Sequence, residues 1–274
     1  MSPLYIAAAH KSSGKTSVSI GLTAALVRKS LAVQTFKKGP DYIDPLWLAR
    51  AAGRPCYNLD FFTQSRPEIR STFNRNSNQA DISLIEGNKG LFDGVDVEGT
   101  DSNAALATML SAPVALVIDT GGMTRGIAPL IRGYLDFDPD VNICGVILNK
   151  VGGARHETKL RAALEHYTDA EILGAIGRDA TLEIPERHLG LVPANETWGS
   201  CAADTMIRRL GDTVSASVDL DRIISLIRAA NPPVTAKESV HSSQRPDTDV
   251  RIAIARDAAF GFYYQDDLEA VSYT

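Results

Sequence analysis

The stretch AHKSSGKTS, residues 9 to 17, decides the fold. It ends like the phosphate-binding motif G-x-x-x-x-G-K-[ST], but Ala9 stands where that motif has its first glycine. Residues 4–9 form a short apolar run like a buried strand, and residues 17–29 form an amphipathic helical pattern. Alanine is the smallest replacement for the glycine and is tolerated if its φ stays negative. The strand–loop–helix context therefore predicts a nucleotide-binding loop; a serine-capped helix with an exposed lysine is the alternative.

Each part of such a loop has a defined task. Backbone N–H groups and the N-terminus of the following helix surround the phosphates. Lys15 reaches the β- and γ-phosphates, and the hydroxyl of Thr16 binds Mg²⁺. The sequence thus predicts these nucleotide-binding residues: Ser12, Ser13, Gly14, Lys15, Thr16 and Ser17.

The composition is that of an ordinary globular protein. The chain has 274 residues, of which 44% are hydrophobic and 22% are charged, enough for one or two domains. The formal net charge of -5 argues against nucleic acid or an anionic membrane as the main partner. The sequence shows neither a signal-peptide pattern nor an apolar stretch of about 20 residues, so we expect a soluble cytoplasmic protein. Because Cys56, Cys144 and Cys201 have no metal-ligand spacing, we expect none of them to be catalytic.

Apolar runs alternate with helix-like segments through most of the chain. Continuous apolar strands between helices predict an α/β fold of the phosphate-loop NTPase type, a mostly parallel sheet with helices on both faces. In such sheets ligands bind at the carboxyl ends of the strands. Glycine-rich and charged clusters follow four of the runs, which predicts a site at that edge. The runs span residues 4–9, 31–36, 82–87, 112–119, 141–149 and 172–177, and the clusters span residues 37–45, 86–94, 119–126 and 149–157.

Carboxylates in these clusters predict a magnesium site beside the phosphate loop. Asp41 and Asp44 follow the second run, and Glu86 ends the apolar run ISLI, where an acid is costly unless it is paired or binds a metal. The predicted ligands are Thr16, Asp41, Asp44 and Glu86. Alternatively, Asp41 and Asp44 form a turn that caps the next helix. Asp119 ends another run and is a further, Walker-B-like candidate.

Basic and amide side chains follow the same strands. Lys37 and Lys38 come after the second run, where positive charge would stabilise a transferring phosphate or bind an anionic substrate. A solvated lysine pair is the alternative. Asn88 lies in the cluster after the third run. Asn149 ends the fifth run, and its amide offers both a donor and an acceptor to a purine edge.

Four segments, in this order, resemble one family. They are KKGPDYIDP (37–45), EGNKGLFDG (86–94), ILNKVGGARHE (147–157) and ERHLGLVPANE (186–196). Together they resemble the N-terminal half of the cobyrinic acid a,c-diamide synthases, which are related to dethiobiotin synthetase and to the septum-site ATPase. The resemblance covers roughly residues 4 to 200, and the first two segments are specific to the diamide synthases. The phosphate loop also resembles this family's serine-rich version, which implies that it binds ATP.

The resemblance implies an ATP- and glutamine-dependent amidation of carboxylates on a tetrapyrrole. ATP phosphorylates the carboxylate, and ammonia then displaces phosphate from the acyl phosphate. In this scheme Mg²⁺ and Lys15 neutralise charge during transfer, Asn149 reads adenine, and Tyr42 and Ile43 order the substrate. The implied catalytic residues are Lys15, Lys37, Asp41, Asp44 and Glu86, and the implied substrate-binding residues are Lys38, Tyr42, Ile43 and Asn88.

The same resemblance implies a domain organisation. We expect a synthetase domain in residues 1–231, a linker in 232–249, and in 250–274 the first strand and helix of a truncated class I glutaminase-like domain. One strand and one helix cannot bury a core, so this piece either docks on the main domain or lacks the rest of its own. No cysteine matches the glutaminase nucleophile, so we expect the chain to use free ammonia or a separate glutaminase. A homodimer is a further expectation.

Three alternatives stay open. The stretch 87–107 has lysine and phenylalanine where corrinoid-acting relatives more often have methionine and tyrosine, and DTGGMTRGIAPLIRGY (119–134) resembles siroheme-amidating relatives. Sirohydrochlorin or siroheme is therefore a second candidate substrate. A dethiobiotin synthetase-like ligase would explain a single ATP-binding domain but not residues 250–274. A nucleotide switch of the partitioning type would carry a lysine where His10 stands.

Overall fold

The structure is a computed structural model that describes residues 3–182, 184, 186–187, 190–191, 201–230, 252–257 and 259–272. Strands and helices alternate along the chain, as predicted. The strands are β1 (Pro3–Ala8), β2 (Val33–Lys38), β3 (Tyr57–Leu59), β4 (Ile82–Glu86), β5 (Val114–Asp119), β6 (Ile143–Val151), β7 (Ile172–Gly177), β8 (Glu186–Arg187) and β9 (Gly190–Leu191). The helices are α1 (Lys15–Arg28), α2 (Asp44–Ala52), α3 (Arg66–Ser77), α4 (Asn103–Met109), α5 (Ile127–Phe137), α6 (Ala154–Tyr167), α7 (Cys201–Ser217), α8 (Leu220–Ala229) and α9 (Gln265–Ser272), with a 3-10 turn at Ala180–Leu182.

Strands β1 to β7 form one parallel sheet in the order β3-β2-β4-β1-β5-β6-β7, while β8 and β9 form a separate antiparallel pair. The order places β1, which leads into the phosphate loop, between β4 and β5. In the register, Lys37 lies opposite Glu86, and Asp119 lies opposite Asn149. The prediction of a parallel sheet is confirmed, and its carboxyl edge gathers the polar clusters.

Helices cover both faces of the sheet. Alternate residues of β1 point to opposite sides, so Tyr5 and Ala7 enter one hydrophobic cluster while Leu4 and Ile6 enter the other. Helices α3, α4, α5 and α6 pack on the first face, and helices α1, α7 and α8 pack on the second. Helix α2 packs against α1 and α7 in a third cluster. None of the helices in the described ranges combines the length and apolarity that a bilayer span requires.

Periodicity in the sequence does not predict strand β3, helix α3 or the short strands β8 and β9. Strand β3 has three residues, too few for a periodicity to show. Helix α3 is polar, but its start carries a capping box in which Glu68 accepts from the backbone N–H of Ser65 at 2.7 Å. The Ser-x-x-Glu spacing was the signal that would have found it. The second strand also lies two residues later than predicted, so Lys37 and Lys38 are part of it.

We expected a strand at the start of residues 250–274, of which the structure describes 252–257 and 259–272. Residues 252–257 form no strand, because no described strand runs beside them to supply hydrogen bonds. The helix that follows is present as α9, and it docks on the main domain, where the hydroxyl of Tyr57 donates to Glu269 Oε1 at 2.7 Å. The predicted linker lies outside the described residues, as does most of the segment 186–196.

Candidate active site

The loop between β1 and α1 has the backbone that a phosphate loop needs. Gly14 has a φ of 84° and is followed at once by α1, so the helix N-terminus opens onto the loop. A side chain at Gly14 would collide with Nδ2 of Asn149, which makes glycine obligatory there. Ala9 is not among the residues with positive φ, as its tolerance required. Ala9 therefore fits the position that is glycine in the motif G-x-x-x-x-G-K-[ST].

Two residues at the end of β6 hold the outer side of this loop. Asn149 Nδ2 donates to the carbonyl oxygen of Ser13 at 2.8 Å, and Lys150 Nζ donates to the carbonyl oxygen of Ser12 at 2.8 Å. Lys150 also pairs with Asp119 Oδ2 at 2.8 Å. These contacts hold the carbonyl oxygens of Ser12 and Ser13 toward β6, the orientation that suits a loop whose N–H groups bind an anion on its other side. The structure therefore ties Asp119 to Lys150 rather than to Thr16, and adenine recognition by Asn149 stays a prediction.

Tyr134 is a loop contact that sequence reasoning missed. Its hydroxyl donates to the carbonyl oxygen of Ala9, the first residue of the motif. The ring of Phe92, from the cluster after β4, stacks on Tyr134 with centroids 5.6 Å apart. No local pattern marks a residue near the end of α5 as a neighbour of Ala9, because the contact spans 125 positions in the chain.

Five predicted residues meet at the carboxyl edge of β2 and β4. Thr16 Oγ1 donates to Glu86 Oε1 at 2.6 Å and lies 3.3 Å from Asp44 Oδ2. Lys37 Nζ lies 2.6 Å from Asp44 Oδ2, 3.0 Å from Glu86 Oε1 and 3.7 Å from Asp41 Oδ2. Lys37 is 2% exposed and Glu86 is fully buried. The alternative of a solvated lysine at position 37 is therefore wrong.

Burial and charge together set the ionisation of this cluster. Burial raises the pKa of Glu86 to about 7, although Lys37 opposes the shift. Burial also disfavours the charge on Lys37, but Asp44 and Glu86 outweigh it and hold the lysine pKa well above its usual value. The pKa of Lys15 is lowered by burial and then by the charge of Lys37. The site thus holds an ammonium group bound between buried carboxylates.

The oxygen atoms around Thr16 suit Mg²⁺. Hydroxyl and carboxylate oxygens are the hard ligands that Mg²⁺ prefers, and Glu86 Oε2 is buried without a hydrogen-bond partner. Thr16, Asp44 and Glu86 therefore fit the ion. Asp41 Oδ1 instead accepts from the backbone N–H groups of Ile43 and Asp44, the capping role of the alternative interpretation. The described residues include no group of three or more His, Cys, Asp or Glu side chains placed to hold one ion by themselves, so the metal roles of Asp41, Asp44 and Glu86 stay predictions.

The predicted substrate residues line the rim of the same edge. Lys38 is 6% exposed, and burial lowers its pKa. Asn88 Oδ1 is buried without a partner, and its side chain lies against Gly39, the residue after Lys38. Ile43 is buried, whereas Tyr42 is 37% exposed. The loop that carries them is held by Asn58, whose Nδ2 donates to the carbonyl oxygens of Gly39 and Asp41 at 2.9 and 2.8 Å.

Comparison with known proteins places this arrangement in context. Curated proteins named cobyrinate a,c-diamide synthase match nearly the whole chain: that of Magnetococcus marinus is 49% identical over 98% of this chain, and that of Syntrophotalea carbinolica is 42% identical over 98%. This chain spans 58% of the length of each. Among solved structures, one that aligns is the septum site-determining protein MinD complexed with Mg-ADP from Pyrococcus horikoshii OT3. The alignment covers 81% of this chain and 98% of that one, at 17% identity and a TM-score of 0.44.

A family profile matches the part of the chain that contains the site. The profile described as the CobQ/CobB/MinD/ParA nucleotide binding domain covers residues 4–192. That range includes the phosphate loop, the acidic cluster with Lys37, and the β6 residues that hold the loop. By its loop, its parallel sheet and this match, the chain belongs to the CobQ/CobB/MinD/ParA family of nucleotide-binding domains.

Proposed function

We propose that this chain is the ATP-dependent ligase part of a cobyrinate a,c-diamide synthase, amidating carboxylates of a tetrapyrrole. The observation that carries the proposal is the buried Lys37 between Asp44 and Glu86, directly beside Thr16 of the phosphate loop. Relatives of that name support it, with identities up to 49% over nearly the whole chain. The chain spans 58% of the length of those relatives, and we propose for it the ligase reaction of the enzyme that their name describes.

The proposed reaction has two steps, a phosphoryl transfer and an aminolysis. A substrate carboxylate oxygen attacks the γ-phosphorus of ATP, the bond to the ADP oxygen breaks, and an acyl phosphate forms. Ammonia then attacks the acyl carbon, loses a proton, and expels phosphate to leave an amide. When bound, Mg²⁺ would be held by Thr16, Asp44 and Glu86, and it would neutralise charge on the phosphate oxygens.

The lysines divide the remaining work. Lys15 binds the β- and γ-phosphates from the start of α1, which also directs its N-terminus to them. Lys37 donates to Asp44, Glu86 and the carbonyl oxygen of Gly87, and its charge acts on the transferring phosphoryl group through the carboxylates that it holds beside Thr16. Lys38, with Asn88, Tyr42 and Ile43 nearby in the same loops, orients the carboxylate that attacks. Lys15, Lys37 and Lys38 thus all act at the carboxyl edge of the sheet, where the ATP phosphates and the substrate carboxylate meet.

The domain scheme and the ammonia source are also proposals. We assign residues 1–231 to the ligase domain, 232–249 to a linker and 250–274 to the beginning of a glutaminase-like domain. Burial raises the pKa of Cys56 and raises that of Cys144 to about 12, so neither is an activated thiolate that could release ammonia from glutamine, and we propose that the ligase domain receives ammonia from outside itself. Corrinoid and sirohydrochlorin-type rings remain alternative substrates.

The test is ATP turnover with ammonium chloride or glutamine as nitrogen source. Cobyrinic acid, sirohydrochlorin and siroheme are offered in parallel, and conversion of a carboxyl to an amide is detected by mass. Lys37→Met should abolish amidation, while Lys159→Met, a surface lysine of α6, should leave it intact. Product with ammonium chloride identifies the ring. Nucleotide binding without product from any ring would refute the proposed activity.

A further inference from the structure

Aromatic rings from two distant parts of the chain stack beside the site. The ring of Tyr42 lies 5.8 Å from that of Phe262 with an interplanar angle of 11°, and 4.8 Å from that of Tyr264 with an angle of 24°. These are the distances of favourable aromatic pairs. We call Tyr42, Phe262 and Tyr264 the aromatic wall. Tyr42 directly follows Asp41 and stands two positions before Asp44, so the wall borders the acidic cluster.

Contacts at some distance from the wall hold its C-terminal half in place. The hydroxyl of Tyr57 on β3 donates to Glu269 of α9 at 2.7 Å, and Arg75 of α3 pairs with Asp266 of α9 at 2.9 Å. The hydroxyl of Tyr263, which lies between Phe262 and Tyr264 in the sequence, donates to the carbonyl oxygen of Ala255 at 2.6 Å. Helix α9 is thereby fixed on the edge of the sheet, and Phe262 and Tyr264 are carried to Tyr42.

The wall stays open to solvent although it is assembled from apolar surface. Tyr42 is 37% exposed and Phe262 is 45% exposed. Clustered apolar surface that remains exposed marks a site where a ligand or partner removes it from water. Flat conjugated ligands suit such a surface, because a stacked ring contacts the aromatic faces over its whole area.

A buried cation, Lys38, ends β2 four positions before Tyr42. The backbone of Lys38 pairs with β3, but its side-chain ammonium makes no hydrogen bond or ion pair with the residues that the structure describes, and Lys89 adds positive charge near it. The carboxylate of Asp60 acts on both neighbours: burial lowers the pKa of Lys38 while Asp101 and Asp60 oppose this, and burial and Asp60 raise the pKa of Tyr264. Lys38 also lies opposite Leu59, the residue before Asp60. The cation and the open rings therefore share one neighbourhood.

We infer that the aromatic wall binds the face of a conjugated macrocycle while Lys38 binds one of its carboxylates. The inference rests on the proposed function and adds the C-terminal residues Phe262 and Tyr264 to the substrate site. Charge complementarity selects this ligand class, since a ring bearing several carboxylates matches an aromatic surface beside a buried ammonium group. Residues 252–272 are then a wall of the substrate site and not merely the start of another domain.

The experiment measures binding of cobyrinic acid and of sirohydrochlorin by equilibrium dialysis, with Mg²⁺ and a non-hydrolysable ATP analogue present. Phe262→Ala and Tyr264→Ala should each weaken ring binding about tenfold, in line with the loss of one stacked aromatic. Phe262→Leu keeps apolar volume without the flat ring and should lose most of that affinity too. The matched control is Phe260→Ala, because Phe260 is 57% exposed in the same segment but lies outside the wall.

The outcomes separate the two proposals. Weakened ring binding in the wall variants, with the Phe260 control and the affinity for the ATP analogue unchanged, supports the inference. Unchanged ring binding in Phe262→Ala and Tyr264→Ala overturns it, as does an equal loss in the control. If the unaltered chain binds the ATP analogue but neither ring, the proposed function itself fails. Thermal unfolding of each variant verifies that the chain remains folded.

Discussion

Replacing Lys37 by methionine is the sharpest test of the acidic cluster. The ammonium lies 2.6 Å from Asp44 and 3.0 Å from Glu86 at 2% exposure, so methionine removes the counterion of two carboxylates held away from water. Removing one partner of a buried ion pair costs about 3–5 kcal/mol, because a buried charge is left uncompensated. We therefore expect Lys37→Met to lower the free energy of unfolding by about that amount in EDTA.

The assay is urea unfolding at pH 8, above the pKa of about 7 that Glu86 has beside Lys37. Because Lys37 opposes the effect of burial, its removal raises the pKa of Glu86 further, and proton uptake by the variant would reduce part of the loss. Lys29→Met is the matched control, since Lys29 pairs with Asp221 at the similar distance of 2.8 Å but on the surface. Exposed pairs contribute about 0–1 kcal/mol, so the control should change stability little. Adding Glu86→Gln to Lys37→Met should recover part of the loss, because it removes a buried charge.

Two results would refute this reasoning. One is a loss in Lys37→Met no larger than that in the Lys29 control, which would mean that the ammonium is not the counterion. The other is strict additivity of Lys37→Met and Glu86→Gln, since residues in direct contact should show a coupling energy of about 0.5–3 kcal/mol. A saturating concentration of Mg²⁺ should also narrow the deficit of Lys37→Met, because a divalent cation replaces the missing charge.

Other consequences are testable with single substitutions. Gly14→Ala should weaken nucleotide binding at least tenfold by fluorescence titration, whereas Gly53→Ala, with a similar φ but open space around it, should leave binding unchanged and lose only about 1 kcal/mol of stability. Tyr134→Phe removes the hydroxyl that holds the first loop residue and should raise the KM for ATP several-fold while leaving thermal unfolding nearly unchanged, a split that a purely structural role would not produce. In native protein an aromatic disulfide reagent should modify exposed Cys201 much faster than buried Cys56, and unfolding in urea should equalise the two rates.

Local signals sufficed for the loop and the sheet. The apolar strand before AHKSSGKTS and the helical pattern after it each depend on residues close in sequence, so they could be read from one chain. The clusters after the strands were also predictable, because parallel strands bring their carboxyl ends to one edge whatever the exact boundaries. Hence Thr16, Lys37, Asp44 and Glu86, drawn from three separate segments, meet as the pattern indicates.

The roles within that edge were harder to predict, because they depend on which partner a side chain meets. Asp119 ends a strand just as Glu86 does, yet its partner is Lys150 from the neighbouring strand β6. The periodicity of apolar residues predicts strands but not their order in the sheet. Asp41 and Asp44 are three positions apart, yet one accepts from the backbone at the start of α2 while the other faces Lys37. Motif letters specify residue types, whereas packing decides which atom each type contacts.

The aromatic wall shows the same limit at longer range. Phe262 and Tyr264 lie more than two hundred positions from Tyr42. Helix α9, which follows them directly, docks through Tyr57 of β3 and Arg75 of α3, two elements that periodicity does not predict. Without β3 and α3 there is no surface on which α9 can be placed. Because sequence periodicity predicts neither β3 nor α3, it cannot predict that Phe262 and Tyr264 reach Tyr42 to form the aromatic wall. Short edge elements, whose own periodicity is weakest, here determine how a distant segment reaches the site.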